Sequence, residues 1–355
     1  MDLVRGRSPI RTNSKENAVR SRPTSPVRRP AMVLSAFALV GLLAGCNGVQ
    51  NGAGGGGGGD AADFPSGPIE FQVGASAGGS TDLLARALAK DHEEPLGETV
   101  NVINAPGANG AVAAGDVLNS APDGQTMMLV SGSLITITPL FVSEDEAIDL
   151  DDIQIVTGVG REDYVLVTSK DSGITSIDDL VSSGRTINYG TAGVGTGGQL
   201  SQNLLFDELG IDATDVPFEG GAPTVTALLG NQVDVASVQV LEAAPHIESG
   251  DFVPLAIFGE ERNDFFPDVP TAQESGYDVV VTQSRFVLVP KDTPEDVVDT
   301  LAAAFSDAFE SQEYQDFLEQ NFITPDETDA EETATNLQAD KDAYEEAAQA
   351  AGLLD

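Results

Sequence analysis

Cysteine occurs once in the 355 residues, histidine twice, and Lys and Arg together number 17 against 57 Asp and Glu. The single Cys46 excludes a disulfide within the chain, and with only His92 and His246 beside it, carboxylates are left as the main source of metal ligands. The acids that do group, such as Asp149, Asp151 and Asp152, read as a solvated acidic loop, so no metal site is expected. No cofactor is expected either, because the glycine-rich stretch Gly190 to Gly198 lacks the Gly-Lys-Ser/Thr ending of a phosphate-binding loop. The formal net charge of −40 argues against nucleic acid as a partner. An apolar run long enough to span a bilayer comfortably is also missing: Ala31 to Gly45 is too short and reads as part of a cleaved signal.

What is present divides sharply. Residues 1–45 carry eight of the cations and only Asp2 and Glu16, as expected of a targeting segment. The run ends Leu43-Ala44-Gly45-Cys46, which resembles the lipobox of bacterial lipoproteins and marks Cys46 as the lipidation site and mature N-terminus. Arg28-Arg29 leaves general and twin-arginine export both open. Residues 46–63, with glycines from Gly54 to Gly59, read as a flexible tether, so the folded body starts near Phe64. From Cys46 onward nine Lys and Arg face 55 Asp and Glu. At molar salt the Debye length falls to about 3 Å, and such an acidic surface stays folded there, which suggests a salt-loving bacterial source. Hydrophobic residues at 41% in periodic blocks exclude disorder as the meaning of the acidity.

The body alternates strand and helix patterns. Ile69 to Val73 reads as a strand, Gly74 to Gly79 as a glycine turn, and Ser80 or Thr81 as the cap of a helix through Lys90. Strands follow at 101–103 and 126–130, around a glycine-punctuated helix at 107–120. The unit recurs with strands at 164–167 and 186–189, a second glycine loop at 190–198, and a helix from Gln199 stopped by Gly210. Then come 216–218, a helix at 223–229, strands at 233–236 and 286–289, and a helical remainder expected to pack back on the first lobe. About 290 residues exceed one typical core, so two α/β domains are expected.

Eight segments in order resemble the tripartite tricarboxylate transporter substrate-binding family, the TctC or Bug-type extracytoplasmic receptors. They include Phe64-Pro65-Ser66-Gly67-Pro68-Ile69, Ala77-Gly78-Gly79-Ser80-Thr81-Asp82 and Asn104-Ala105-Pro106-Gly107-Ala108-Asn109-Gly110. Further along are Pro122 to Thr126, Tyr189 to Gly195, Val216 to Pro223, Pro267 to Thr271 and Pro290 to Pro294. Two positions depart from the family: Gly74-Ala75-Ser76 stands where a bulky aromatic is frequent, and Gln199 where a His is frequent. The resemblance implies a two-lobed, type II periplasmic-binding-protein or flytrap fold, each lobe a central mixed sheet flanked by helices. The expected division is 64–167 plus 285–355 for one lobe and 168–284 for the other. It further implies a binding protein that is not an enzyme; with the lipobox at Cys46, a monomer anchored by lipid at the outer face of the cytoplasmic membrane is expected. Its role would be to capture a small di- or tricarboxylate or related organic acid for integral-membrane transporter subunits.

The glycine loops suit that task, since each ends at a helix N-terminus with free N–H groups and the positive end of the dipole. One side of the expected site is Ser76, Ala77, Gly78, Gly79, Ser80 and Thr81, with Asp82 capping the helix. The other is Thr191, Ala192, Gly193, Gly195, Thr196 and Gly197. Arg285 is placed to fork onto a second carboxylate, and Asp234 to order a loop or accept from a ligand. Two rival readings stand beside this one. Gly74-Ala75-Ser76-Ala77-Gly78 fits G-x-S-x-G, so an esterase with Ser76 as nucleophile and His246 as base is conceivable, although no oxyanion segment accompanies it. A ligand-sensing lipoprotein that signals through a receptor is the third.

Overall fold

The computed structural model describes residues 64–143 and 147–354, without the side chains of residues 91–94. The expected signal segment, Cys46, the glycine tether and the His92 side chain lie outside the described residues.

Nine strands form among the described residues, in the order β2-β1-β3-β9-β4-β7-β5-β6, with β8 also on β4. The first part joins β1 (Ile69–Val73) in parallel to β2 (Val100–Asn104) and β3 (Thr126–Ser131), and β3 antiparallel to β9 (Thr282–Pro290). The second joins β5 (Ile187–Thr191) in parallel to β6 (Ala213–Pro217) and β7 (Val235–Gln239). β4 (Ile153–Ser169) belongs to both: residues 153–163 pair with β9, and residues 164–169 with β7 and β8 (Phe252–Ile257). A 17-residue strand that changes partners midway can carry one sheet into the next, and its bulges near 156 and 159 let it turn there.

Helices cover these sheets because their apolar faces need burial. α1 (Ser80–Leu96) lays Leu84, Leu88 and Leu96 on β1, together with α8 (Glu295–Phe309) and α9 (Gln312–Gln320). α2 (Ala111–Leu118) and α3 (Ser133–Thr136) pack on Met128, Phe286 and Leu288. In the second part, α4 (Ile177–Ser183) and α5 (Gly197–Leu209) share a core with Leu166, Ile187 and Phe258. On the other face, α6 (Gly221–Leu229) and α7 (Val240–Glu248) pack on Val165, Ala236 and Val238. α10 (Ala330–Ala350) departs from the expected packing on the first lobe alone: Leu337 joins the α2–α3 core, whereas Tyr344 and Ala348 join the α4–α5 core.

Within each part the parallel strands aim their carboxyl ends the same way, the two sets run in opposite directions, and the turns after β1, β2, β5 and β6 line one crevice, where open α/β sheets take their ligands.

Candidate functional site

The turn after β1 is held by its own helix. Asp82, buried in the first turn of α1, accepts from the Gly78 N–H at 2.8 Å and pairs with Arg86 at 2.9 Å. Burial alone would raise its pKa, but Arg86, the Gly78 N–H and Asn104 bring it below the ordinary carboxylate value. Asp82 is thus a capping residue that holds the Gly78 N–H, while the Gly79 N–H goes to Ser76 O at 3.2 Å. Ala77 and Gly78 are exposed, and Gly79, Ser80 and Thr81 are buried.

The turn after β5 is built with the same logic. Thr196 caps α5, its Oγ1 accepting from Gln199 N at 3.3 Å and donating to Gly193 O at 2.8 Å. Gln199 accepts from Gly195 N at 2.8 Å and donates to Asp215 at 2.6 Å, while Asp215 takes Thr191 Oγ1 at 2.9 Å. Burial raises the Asp215 pKa against those two hydrogen bonds. The helix can start here only without side chains: at Gly198 an added Cβ would stand 2.6 Å from the Ser237 carbonyl oxygen, and at Gly197 the Tyr164 ring fills the space.

These turns touch one another. Ser76 Oγ donates to the Glu219 carbonyl in the β6–α6 turn. Asn109 Nδ2 donates to Gly195 O at 3.0 Å, and Thr138 Oγ1 reaches the same oxygen at 3.2 Å. Ser80 N donates to Glu242 Oε1 at 3.1 Å. Between the turns lies a cavity of about 330 Å³, bounded by Gly74, Ala75, Asn109, Gly193, Phe218 and Glu219 among others. A somewhat larger cavity, about 410 Å³, is rimmed by Asp163, Glu260, Glu261, Asp264 and Asp326 with Arg161. Its acids and its distance from the helix N-termini make it the poorer place for an anion.

Beneath the turns, β4 and β9 supply a buried polar floor. Arg285 pairs with Glu162, each side chain 1% exposed, and donates to Ser80 Oγ and to Thr81 Oγ1 at 3.3 Å. Tyr164 donates to Gln283 Oε1 and accepts from Gln239 at 3.4 Å; burial pushes its pKa up strongly. Burial also pushes the Glu242 carboxyl up to about 7.

Two of the expected site residues sit differently from the sequence reading. Arg285 is engaged by Glu162, Ser80 and Thr81 and holds the first turn of α1 rather than standing free at the crevice. Asp234 precedes β7, pairs with Arg185 at 2.6 Å and accepts from Asn188 N at 2.8 Å, which makes it a support for β5 at the edge remote from the turns. The remaining expected residues lie in the two turns. Ser76 bonds to Glu219, whereas His246, on α7, packs at a tilt against Phe252. Asn109, Thr138, Glu162, Glu219 and Glu242 were not singled out from the sequence. Asn109 and Glu219 carried a signal, by standing inside segments that resemble the family.

A two-lobed α/β chain with facing glycine turns at the carboxyl ends of both sheets has the architecture of a periplasmic solute-binding protein. Residues 84–353 match the tripartite tricarboxylate transporter family receptor, TctC, and the chain belongs to that family. BugT of Bordetella pertussis is 31% identical over 266 residues, 73% of this chain and 82% of that protein. A protein of the TAR-I ttuE-ttuC' intergenic region of Agrobacterium vitis is 32% identical over 252 residues, 69% of this chain and 72% of its own. Among solved structures, MatC of Rhodopseudomonas palustris with bound malate gives a TM-score of 0.74 at 27% identity, covering 80% of this chain and 99% of MatC. R. palustris Rpa4515 with adipate gives 0.77 at 25%, covering 82% and 99%. The family and these neighbours are substrate-binding receptors, so the esterase reading falls.

Proposed function

We propose that the protein captures a small di- or tricarboxylate in the 330 Å³ cavity and delivers it to a tripartite tricarboxylate-type membrane carrier. The observation that carries this is the state of the cations. Each of the nine Lys and Arg among the described residues is already engaged: eight pair with Asp or Glu, and Lys291 donates to the Asp151 carbonyl. A negative ligand is then met by helix dipoles and by turn N–H groups other than those of Gly78, Gly79, Ser80 and Gly195, which are bonded within the protein, and the cavity lies where the turns before α1 and α5 converge. The malate and adipate complexes of similar proteins support the ligand class. In this reading Ser76 to Thr81 face Thr191 to Gly197, and the lobes are 64–167 plus 285–355, and 168–284. Residues 1–45 are removed, Cys46 is lipidated, and residues 46–63 tether the receptor to the outer face of the membrane.

The test is thermal unfolding in molar salt with malate, adipate, citrate and shorter acids, since a ligand selective for the folded state raises Tm through mass action. A rise of several degrees with one class of acid is expected. No rise with any of them would remove the carboxylate claim. Mass spectrometry of the chain from a membrane fraction tests the anchor: a diacylated Cys46 at the N-terminus is expected, and a free thiol there would overturn it.

A further inference from the structure

Glu242 reaches across the crevice from the first turn of α7, and the space it enters is shaped for it. Its Oε1 accepts from Ser80 N at the start of α1, at 3.1 Å. A Cβ at Gly79 would stand 3.4 Å from that oxygen, and a Cβ at Gly221 would collide with the carboxylate. The group lies in a slot that Gly221 leaves open and that Gly79 borders at ordinary contact distance. Glu242 as a whole is half-buried, but its Oε2 is buried with no hydrogen-bond partner. The one cation nearby, Arg285, is already neutralised by Glu162, whose own Oε1 is also without a partner. An ionised Glu242 in this closed arrangement is a buried charge with no counterion, beside a second acid, and desolvation makes that costly.

We propose that Glu242 is a proton-operated latch: the turns close over the cavity with its carboxyl protonated, and closure is coupled to proton uptake. The groups facing it are Glu162 and Tyr164 from β4 and Arg285 from β9, with the Ser80 and Gln239 N–H groups and Gly221 completing the surround. Burial is the main influence and raises its pKa; the Ser80 N–H opposes this, Glu162 adds to it, and Arg285 opposes it more weakly. When the turns part, the carboxyl meets water and titrates at its ordinary 4.5, against about 7 when they are closed. The closed-state value is the raised one, so protonation favours closure. The preference is fully present below the open-state value and is lost as pH rises through the closed-state value, over a range of up to about 300-fold in the closed-to-open ratio. The latch rests on the proposed function only for its consequence, that ligand capture tightens as pH falls from 7 toward 5.

Hydrogen exchange of the full chain without ligand, corrected for intrinsic rates from pH 5 to 8.5, reads the latch directly. In the wild type, protection of segments 76–84 and 219–225 should fall at least tenfold as pH rises through 7. Glu242→Gln mimics the protonated form and should stay protected throughout. Equal pH profiles for the two proteins, or full wild-type protection at pH 8.5, would overturn the proposal. Infrared difference spectra of the wild type alone keep the test decisive if the variant does not fold. A buried carboxylic-acid band lost between pH 6 and 8 supports the latch, and its absence at pH 6 defeats it. Neither measurement uses a ligand, so failure of the carboxylate panel and failure of the latch are read separately.

Discussion

Arg285 and Arg185 are both paired arginines, and their surroundings assign them different weights. Removing Arg285 leaves Glu162 as a bare charge in a site that is 1% exposed, a loss of about 3–5 kcal/mol. Arg185 is 47% exposed and its partner Asp234 20%, so Arg185→Ala should cost under about 1 kcal/mol. Urea unfolding of the two variants checks the contrast, and equal losses would mean that the buried pair contributes nothing beyond a surface one. Asn109 makes a second residue-scale prediction. Its Nδ2 joins the β2 turn to Gly195 O and to the buried Ser133 and Thr138 hydroxyls, so Asn109→Ala should weaken the bound acid about tenfold by calorimetry and lower Tm as well. The sequence left these weights unread. Arg285 stood out as a rare cation before a strand, but the acid that consumes it lies 123 residues away.

At the scale of elements, the pieces nearest the site owe their start to local signals. Thr196→Ala removes the α5 cap and should lower stability by about 1 kcal/mol while loosening the turn that faces the cavity. Denaturant unfolding together with ligand affinity checks both parts, and an affinity loss far larger than the stability loss would show that the Thr196 turn acts on ligand directly. Gly210 acted as a readable stop for α5, as its capping geometry shows. α7 and β8 were missed, and with them Glu242. α7 is a short apolar stretch with Pro245 inside it, and its amphipathic pattern has too few turns to stand out. β8 carries Pro254 within an apolar run, which also lowers a strand reading.

For the whole molecule, the imbalance of 55 acids against nine bases from Cys46 onward sets the response to salt. Raising NaCl from 0.1 to 1 M shortens the Debye length from about 10 to about 3 Å, so Tm should rise by many degrees as surface repulsion is screened. A Tm independent of salt would show that the acids are spaced widely enough to need no screening.

The sequence by itself determined the class of the protein. Periodic apolar blocks dictate alternating strands and helices, and glycine loops before cap residues dictate where helices begin. Those signals are local, within a few residues, and so they survive in one dimension. Only the tertiary structure decided which charges cancel and which are stranded. Glu162, Glu242 and Arg285 come from α7 and two crossing strands, and meet where β4 changes sheets. Their pairing depends on desolvation and on distances of a few ångströms between chain-distant groups, and no spacing along the chain encodes either.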